Sequence, residues 1–154
     1  MARYLVSGLL ASIAGMLFTG QALAQSGHFV GEPVCTDIGT QVNCMGKVAG
    51  LGGTTFEITI AATGLASVDC TNPGGNVAPG QSSAITSTSS SGPLPTPRNG
   101  AFRFGFATVA PQAPADSCPN DQWTGAVVDV AFTTVTVRLI EDGVVSDEVT
   151  VSIT

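Results

Sequence analysis

The chain has 154 residues, of which 44% are hydrophobic and 10% charged, and 5 Lys+Arg against 11 Asp+Glu give a net charge of −6. This acidity excludes a nucleic-acid-binding protein, because phosphate contacts need a basic surface. The apolar fraction excludes a disordered acidic tail. A single His leaves few groups for acid–base or metal chemistry.

The first 24 residues are predicted to be a secretory signal peptide. Arg3 supplies the positive start, residues 5–18 form an uncharged apolar run, and Ala22-Leu23-Ala24 gives a small-x-small cleavage signal. Cleavage would leave residues 25–154, which are 130 residues with a net charge of −7. We expect one exported domain, secreted or periplasmic, with no membrane attachment after signal cleavage.

The rest of the chain shows the period-2 alternation of strands and no sustained helical period. In chain order, strands are predicted at 28–35, 41–49, 55–61, 66–70, 101–109, 123–132, 134–139 and 149–153. The Glu141-Asp142-Gly143 sequence predicts the turn of a terminal hairpin. Seven to eight short strands favour an all-β, immunoglobulin-like antiparallel β-sandwich, with a barrel as the second choice.

Residues 71–100 interrupt this pattern with a Gly/Pro/Ser-rich segment. We expect an ordered surface excursion with one short strand at Ala84-Ile85-Thr86, rather than a flexible loop. Further on, Phe102, Phe104 and Phe106 alternate with polar or small residues. Their spacing predicts a buried sheet face, against the alternative of an exposed sugar-stacking platform with Trp123.

The four cysteines, Cys35, Cys44, Cys70 and Cys118, all lie in the predicted exported part. An oxidising compartment favours disulfides, and four cysteines allow three pairings. We favour Cys35–Cys44, which would clamp a hairpin, and Cys70–Cys118, which would close a long loop. A zinc site is disfavoured because no C-x-x-C spacing occurs.

Candidate catalytic and metal-binding residues are few, and no catalytic residue or cofactor is predicted. His28 would be the fourth residue after cleavage, which is the wrong register for an amino-terminal copper site, so a solvated His is expected. Nucleophilic catalysis lacks a base. A carboxylate pair of the glycosidase kind remains, but most acids lie in turns or on polar strand faces, where solvation explains them.

Three oxygen-bearing residues, Asp116, Asn120 and Asp121, surround Cys118 in a Pro-rich loop. Carboxylate and amide oxygens could hold calcium there, but the spacing matches no known calcium motif, and a plain turn is the favoured interpretation.

Two cysteine-containing motifs carry a resemblance. Cys70-Thr71-Asn72-Pro73-Gly74-Gly75-Asn76 and Cys118-Pro119-Asn120-Asp121-Gln122-Trp123, with Lys47-Val48-Ala49-Gly50-Leu51-Gly52, resemble sequences of uncharacterised small exported bacterial proteins. The resemblance covers most of the mature chain and implies bacterial origin and export, without an activity to transfer. The composition also resembles that of the neocarzinostatin-type apoproteins, although their closely spaced second disulfide has no match here.

These observations leave three hypotheses. The first is a non-enzymatic interaction or structural protein of the cell surface or extracellular matrix, with a protein or cell-surface partner or self-association, in which residues 25–33 could be donated to a neighbour's sheet edge. The second is a small-ligand or carbohydrate-binding module. The third is a carboxylate-based hydrolase.

Overall fold

The computed structural model describes residues 26–153, and the predicted signal peptide lies outside them. Ten strands and one short 3-10 helix, Ala115–Ser117, make up the regular structure of this part of the chain. Seven of the strands have four or more residues, and two pairs of the eight predicted strands, 55–61 with 66–70 and 123–132 with 134–139, are each one continuous strand. The strands are β1 (His28–Phe29), β2 (Val34–Asp37), β3 (Val42–Ala49), β4 (Thr55–Thr71), β5 (Val77–Pro79), β6 (Ser83–Ser90), β7 (Leu94–Pro95), β8 (Phe102–Ala107), β9 (Thr124–Glu141) and β10 (Val144–Ser152).

The first sheet is built around β3. Strands β1 and β2 pair with the two ends of one edge of β3, and β8 pairs with its other edge, all antiparallel. The prediction of a single strand at 28–35 was wrong, since this part of the chain forms β1 and β2. The chain bends away from β3 at Val30–Pro33, where Gly31 has a φ of 76°.

The second sheet is built around β4 and β9, which pair along almost their whole length. Strand β10 pairs with the far edge of β9, and β7, β6 and β5 follow one another along the far edge of β4. The excursion at 71–100 thus contributes three strands rather than the one predicted. Its Ser and Thr residues suit an edge strand, because their alternate side chains can face solvent.

The two sheets share one hydrophobic core. It combines Val42, Val48 and Phe104 of the first sheet with residues of the second, namely Phe56, Ile58, Ile60, Val135, Val137 and Leu139 among others. Phe102 and Phe106 are partly buried against this core, so the predicted buried phenylalanine face is confirmed. Two separate antiparallel sheets around one core confirm the predicted β-sandwich and exclude the barrel.

Strand β9 was predicted as two strands, but it is continuous and contains two bulges. Its inward residues include Val130 and Phe132, then Val135, Val137 and Leu139, so the buried positions change from even to odd numbers. The extra residue at this change is Thr133, since Thr63 pairs with Thr134 and Gly64 with Phe132. A bulge therefore keeps apolar side chains on the core face along both halves of the strand.

Both predicted disulfides are confirmed. Cys35 and Cys44 lie directly opposite each other in the β2–β3 pair, and Cys70 near the end of β4 bonds to Cys118 after the 3-10 helix. No free cysteine occurs among the described residues. Two disulfides indicate a non-cytoplasmic location. Within residues 26–153, no helix is long and apolar enough to cross a membrane.

Gly64 is required at the bulge, because a Cβ there would come within 2.6 Å of the Ala131 carbonyl oxygen and 2.8 Å of the Phe132 Cα. We predict that Gly64→Ala destabilises the protein by about 1–3 kcal/mol through overpacking. The matched control is Gly105→Ala in β8, where a Cβ would meet only Met45 Cβ at an ordinary 3.7 Å. Urea unfolding measures both, and equal stability of the two variants would contradict the prediction.

Candidate functional site

The residues proposed for calcium form a turn. The side-chain oxygen of Asn120 accepts a hydrogen bond from the Gln122 amide at 3.0 Å, and its carbonyl accepts one from the Trp123 amide at 3.1 Å. Asp116 lies in the 3-10 helix, and Asp116 and Asp121 are exposed. Within residues 26–153, no three His, Cys, Asp or Glu side chains are grouped so that they could hold a metal ion.

His28 lies in β1, and its side chain is exposed. Its ring Nδ1 lies 3.0 Å from the Ser26 carbonyl oxygen. The strand itself pairs with β3 of the same chain, and Phe29 packs in the core. Within the segment that was suggested for donation to a neighbour, β1 therefore already pairs with a strand of its own chain.

Glu141 departs from the expectation that the acids are solvated, because it is fully buried at the end of β9. Its Oε2 accepts a hydrogen bond from the Gly27 amide at 2.9 Å, and its Oε1 accepts one from the Gly52 amide at 2.9 Å and from Gly53 at 3.3 Å. A Cβ on residue 27 would come within 2.5 Å of Oε2, so only glycine permits this approach. The arrangement joins the amino-terminal segment, the β3–β4 connection and β9, which is a structural role.

The neighbouring acids of this hairpin also accept backbone hydrogen bonds. Asp142 accepts them from the amides of Thr54 and Thr55, and Asp147 accepts one from the Phe29 amide at 2.8 Å. The backbone hydrogen bonds of Thr55 and then Thr54 lower the pKa of the Asp142 carboxyl group, because they favour its charged form. Asp142 and Gly143 both have positive φ, which confirms the predicted tight hairpin turn.

The outer face of the second sheet carries three rows of side chains across four strands. Alternate residues of the same strands, such as Ile60, Ser87 and Val137, are buried, so the rows point away from the core. Nine of the twelve positions carry a hydroxyl group, and we call this surface the hydroxyl face. Its rows are Ser90–Thr59–Arg138–Glu148, Thr88–Ala61–Thr136–Thr150 and Thr86–Thr63–Thr134–Ser152.

Hydrogen bonds between neighbouring strands order part of this face. Thr63 Oγ1 lies 2.7 Å from Thr134 Oγ1, and Thr136 Oγ1 lies 3.3 Å from Thr150 Oγ1. The strand spacing of roughly 4.8 Å makes the hydroxyls a regular array of groups that both donate and accept hydrogen bonds. Charge lies at one end, where Arg138 and Glu148 form an ion pair and Glu57 accepts a hydrogen bond from Ser90.

Two shallow depressions lie along the β4–β6 side of the hydroxyl face. One, of about 440 Å³, is lined by Thr63, Thr86 and the bulge residue Thr133 together with the apolar or small residues Gly64, Leu65, Ala84 and Ile85. The other, of about 530 Å³, is lined by residues that include Thr59, Thr88 and Arg138. The face thus combines a regular array of hydroxyl groups with two open depressions. The alternation Thr134-Val135-Thr136 was the sequence signal for it, but the pairing of distant strands was needed to assemble the rows.

No family model and no functionally characterised protein matches the sequence. Among solved structures, the chain is similar to a member of glycosyl hydrolase family 2 from Bacteroides cellulosilyticus DSM 14838, with 16% identity and a TM-score of 0.38 over 83% of this chain and 15% of that chain. A second structure of a family 2 member from Bacteroides cellulosilyticus gives 16% identity, a TM-score of 0.37 and coverages of 83% and 14%. The chain spans about a seventh of these proteins, and a likeness this distant transfers no function.

We predict that Glu141→Gln destabilises the protein by about 3 kcal/mol, because the amide puts a donor against backbone donors in a buried site. The matched control is Glu148→Gln, which removes the ion pair to Arg138 between side chains that are 46% and 49% exposed and should cost under about 1 kcal/mol. Thermal and urea unfolding measure both. A Glu141→Gln protein as stable as the control would refute the structural role.

Asp142 should contribute stability that is present above its ordinary pKa of 3.8 and is lost as pH falls through its lowered folded-state pKa. We predict that Asp142→Asn lowers the melting temperature at pH 7 and that its difference from the unmodified protein disappears at acid pH. Asn also tolerates the positive φ at this position. Melting curves from pH 7 to pH 2 test this, with Asp129→Asn, an exposed residue of β9, as the control. A difference that is constant with pH would contradict the assignment.

Proposed function

We propose that this chain is an exported, non-enzymatic interaction or structural protein of the cell surface or extracellular matrix, and that the hydroxyl face is its contact surface. The observation that supports this proposal is the set of three cross-strand rows in which nine of twelve outward positions carry hydroxyls. The two disulfides indicate a non-cytoplasmic location, which agrees with a function outside the cell.

The chemistry of the face favours a partner rich in hydroxyl and amide groups. Short hydroxyl side chains lose little conformational entropy on binding, and each can donate or accept according to the group it meets. The charges at one end of the face, one cation and two acids, would attract neither polyanions nor polycations strongly. Uncharged glycan strands of the cell envelope and matrix, such as those of cellulose and chitin, have this hydrogen-bonding character.

A carbohydrate-binding module is the second candidate, and the two depressions on the hydroxyl face support it. None of the twelve positions of the face is aromatic, so sugar binding there would depend on hydrogen bonds without ring stacking. A glycan array and a thermal-shift screen with soluble oligosaccharides test this candidate. Stabilisation by a defined oligosaccharide would favour it over attachment to an insoluble matrix.

We predict that the exported chain cosediments with insoluble envelope material, and peptidoglycan sacculi, cellulose and chitin are the probes. Thr88→Lys and Thr150→Lys place bulky charges on two exposed positions of the central row and should weaken cosedimentation at least tenfold. Threonine also suits strands for packing reasons alone. Because both threonine side chains are exposed, the two substitutions leave the core intact.

The control for this experiment is Thr36→Lys, which changes an exposed threonine in β2 of the other sheet. It should bind as the unmodified protein does. If Thr88→Lys and Thr150→Lys bind as well as this control, the hydroxyl face is not the contact surface. If the protein hydrolysed any of the three polymers, and substitution of an acidic residue abolished that hydrolysis, the result would instead support the hydrolase hypothesis.

A further inference from the structure

Two cationic side chains face each other on the outer face of the first sheet. Lys47 of β3 and Arg103 of β8 are direct cross-strand partners. Like charges placed directly opposite in a sheet destabilise it. The whole chain has only 5 Lys+Arg against 11 Asp+Glu, so two of its few cations are placed directly opposite each other, where they repel.

Neither cation of this pair forms an ion pair with an acid of the described residues. Within residues 26–153, the one ion pair joins Arg138 to Glu148 on the other sheet. The residues two positions away from the cations along the chain, Met45 and Ala49 beside Lys47 and Ala101 and Gly105 beside Arg103, carry no charge. The positive charge of Lys47 and Arg103 is therefore available to an anion from solution.

The surface beside the cations is apolar. A depression of about 420 Å³ is lined by Lys47 and Arg103 together with Val30, Met45, Gly46 and Phe104. Val30 is 48% exposed and Met45 is 50% exposed. This depression opens where the chain between β1 and β2 bends away from β3. A second depression, of about 250 Å³, adjoins the same two cations and includes Asn99.

We propose that Lys47 and Arg103 bind the anionic head group of a small amphiphile, a carboxylate or phosphate on an aliphatic chain, and that the chain lies against Val30 and Met45. Arg supplies a planar fork of donors for such a group, and Lys adds a point charge. The aliphatic part buries apolar surface that water otherwise contacts. This site lies on the sheet opposite the hydroxyl face and does not depend on the function proposed for that face.

The net charge of the protein favours a single small anion over a large anionic surface. At −6, the chain as a whole is repelled by polyanions and by anionic membranes, whereas one small anion meets mainly the local field of the two cations. The volume of the depression beside the two cations is also within the range of small-molecule sites.

The probes are decanoate and decyl phosphate below their micellar concentrations, with decanol as the uncharged analogue. Titration is followed by calorimetry and by NMR shifts of the Met45 methyl group. We expect saturable binding of the two anions, at least tenfold weaker binding of decanol, and at least tenfold weaker anion binding for Lys47→Gln and for Arg103→Gln. The control Arg138→Gln, on the opposite sheet, should bind the anions as the unmodified protein does.

Melting temperatures separate this role from a structural one. Removing either cation relieves the repulsion, so Lys47→Gln and Arg103→Gln should melt at the same or a higher temperature than the unmodified protein. A lower melting temperature for both would assign the pair to the fold and overturn the proposal. Equal binding of decanol would overturn it as well. So would binding only of anionic phospholipid vesicles or of polyglutamate, without binding of the monomeric probes.

Discussion

The buried carboxyl group of Glu141 is the contact on which the arrangement of the sandwich depends. It is the last inward-facing residue of β9, where the alternation of Val135, Val137 and Leu139 would otherwise continue with another apolar side chain. Burying a carboxyl group is costly unless hydrogen bonds compensate. The amides of Gly27, Gly52 and Gly53 supply such bonds, and they belong to segments that flank the first sheet. One side chain of the second sheet thereby fixes both segments.

The same hairpin extends this connection through two further acids, one exposed and one half-buried. Asp142 holds the β3–β4 connection at Thr54 and Thr55, and Asp147 holds β1 at the Phe29 amide. Strand β1 has only two residues, so its pairing with β3 alone would hold it weakly. The acidic composition, which first suggested only a solvated surface, thus includes acids that order backbone segments with unpaired amides.

The sequence predicted the features that depend on local pattern. Period-2 alternation predicted the fold class, and the hairpin expected between Cys35 and Cys44 favoured the pairing in which Cys70 bonds to Cys118. The continuity of β9 was missed because the bulge at Thr133 reverses the parity of the buried positions, and a reversal of parity resembles the end of one strand and the start of another. Glu141 was missed because the Glu-Asp-Gly turn signal took precedence over the alternation that placed it inward.

The candidate surfaces were missed for a different reason, since they exist only through pairing between distant parts of the chain. Thr63 and Thr134 are 71 residues apart, and Lys47 meets Arg103 only in the β3–β8 register. In a sandwich, the inward residues of both sheets must fit one core, while each outer face varies independently. Here one outer face is rich in hydroxyls and the other combines cations with apolar side chains. Because Glu141 joins the second sheet to segments flanking the first, loosening that contact would disturb the sheet positions that support both surfaces.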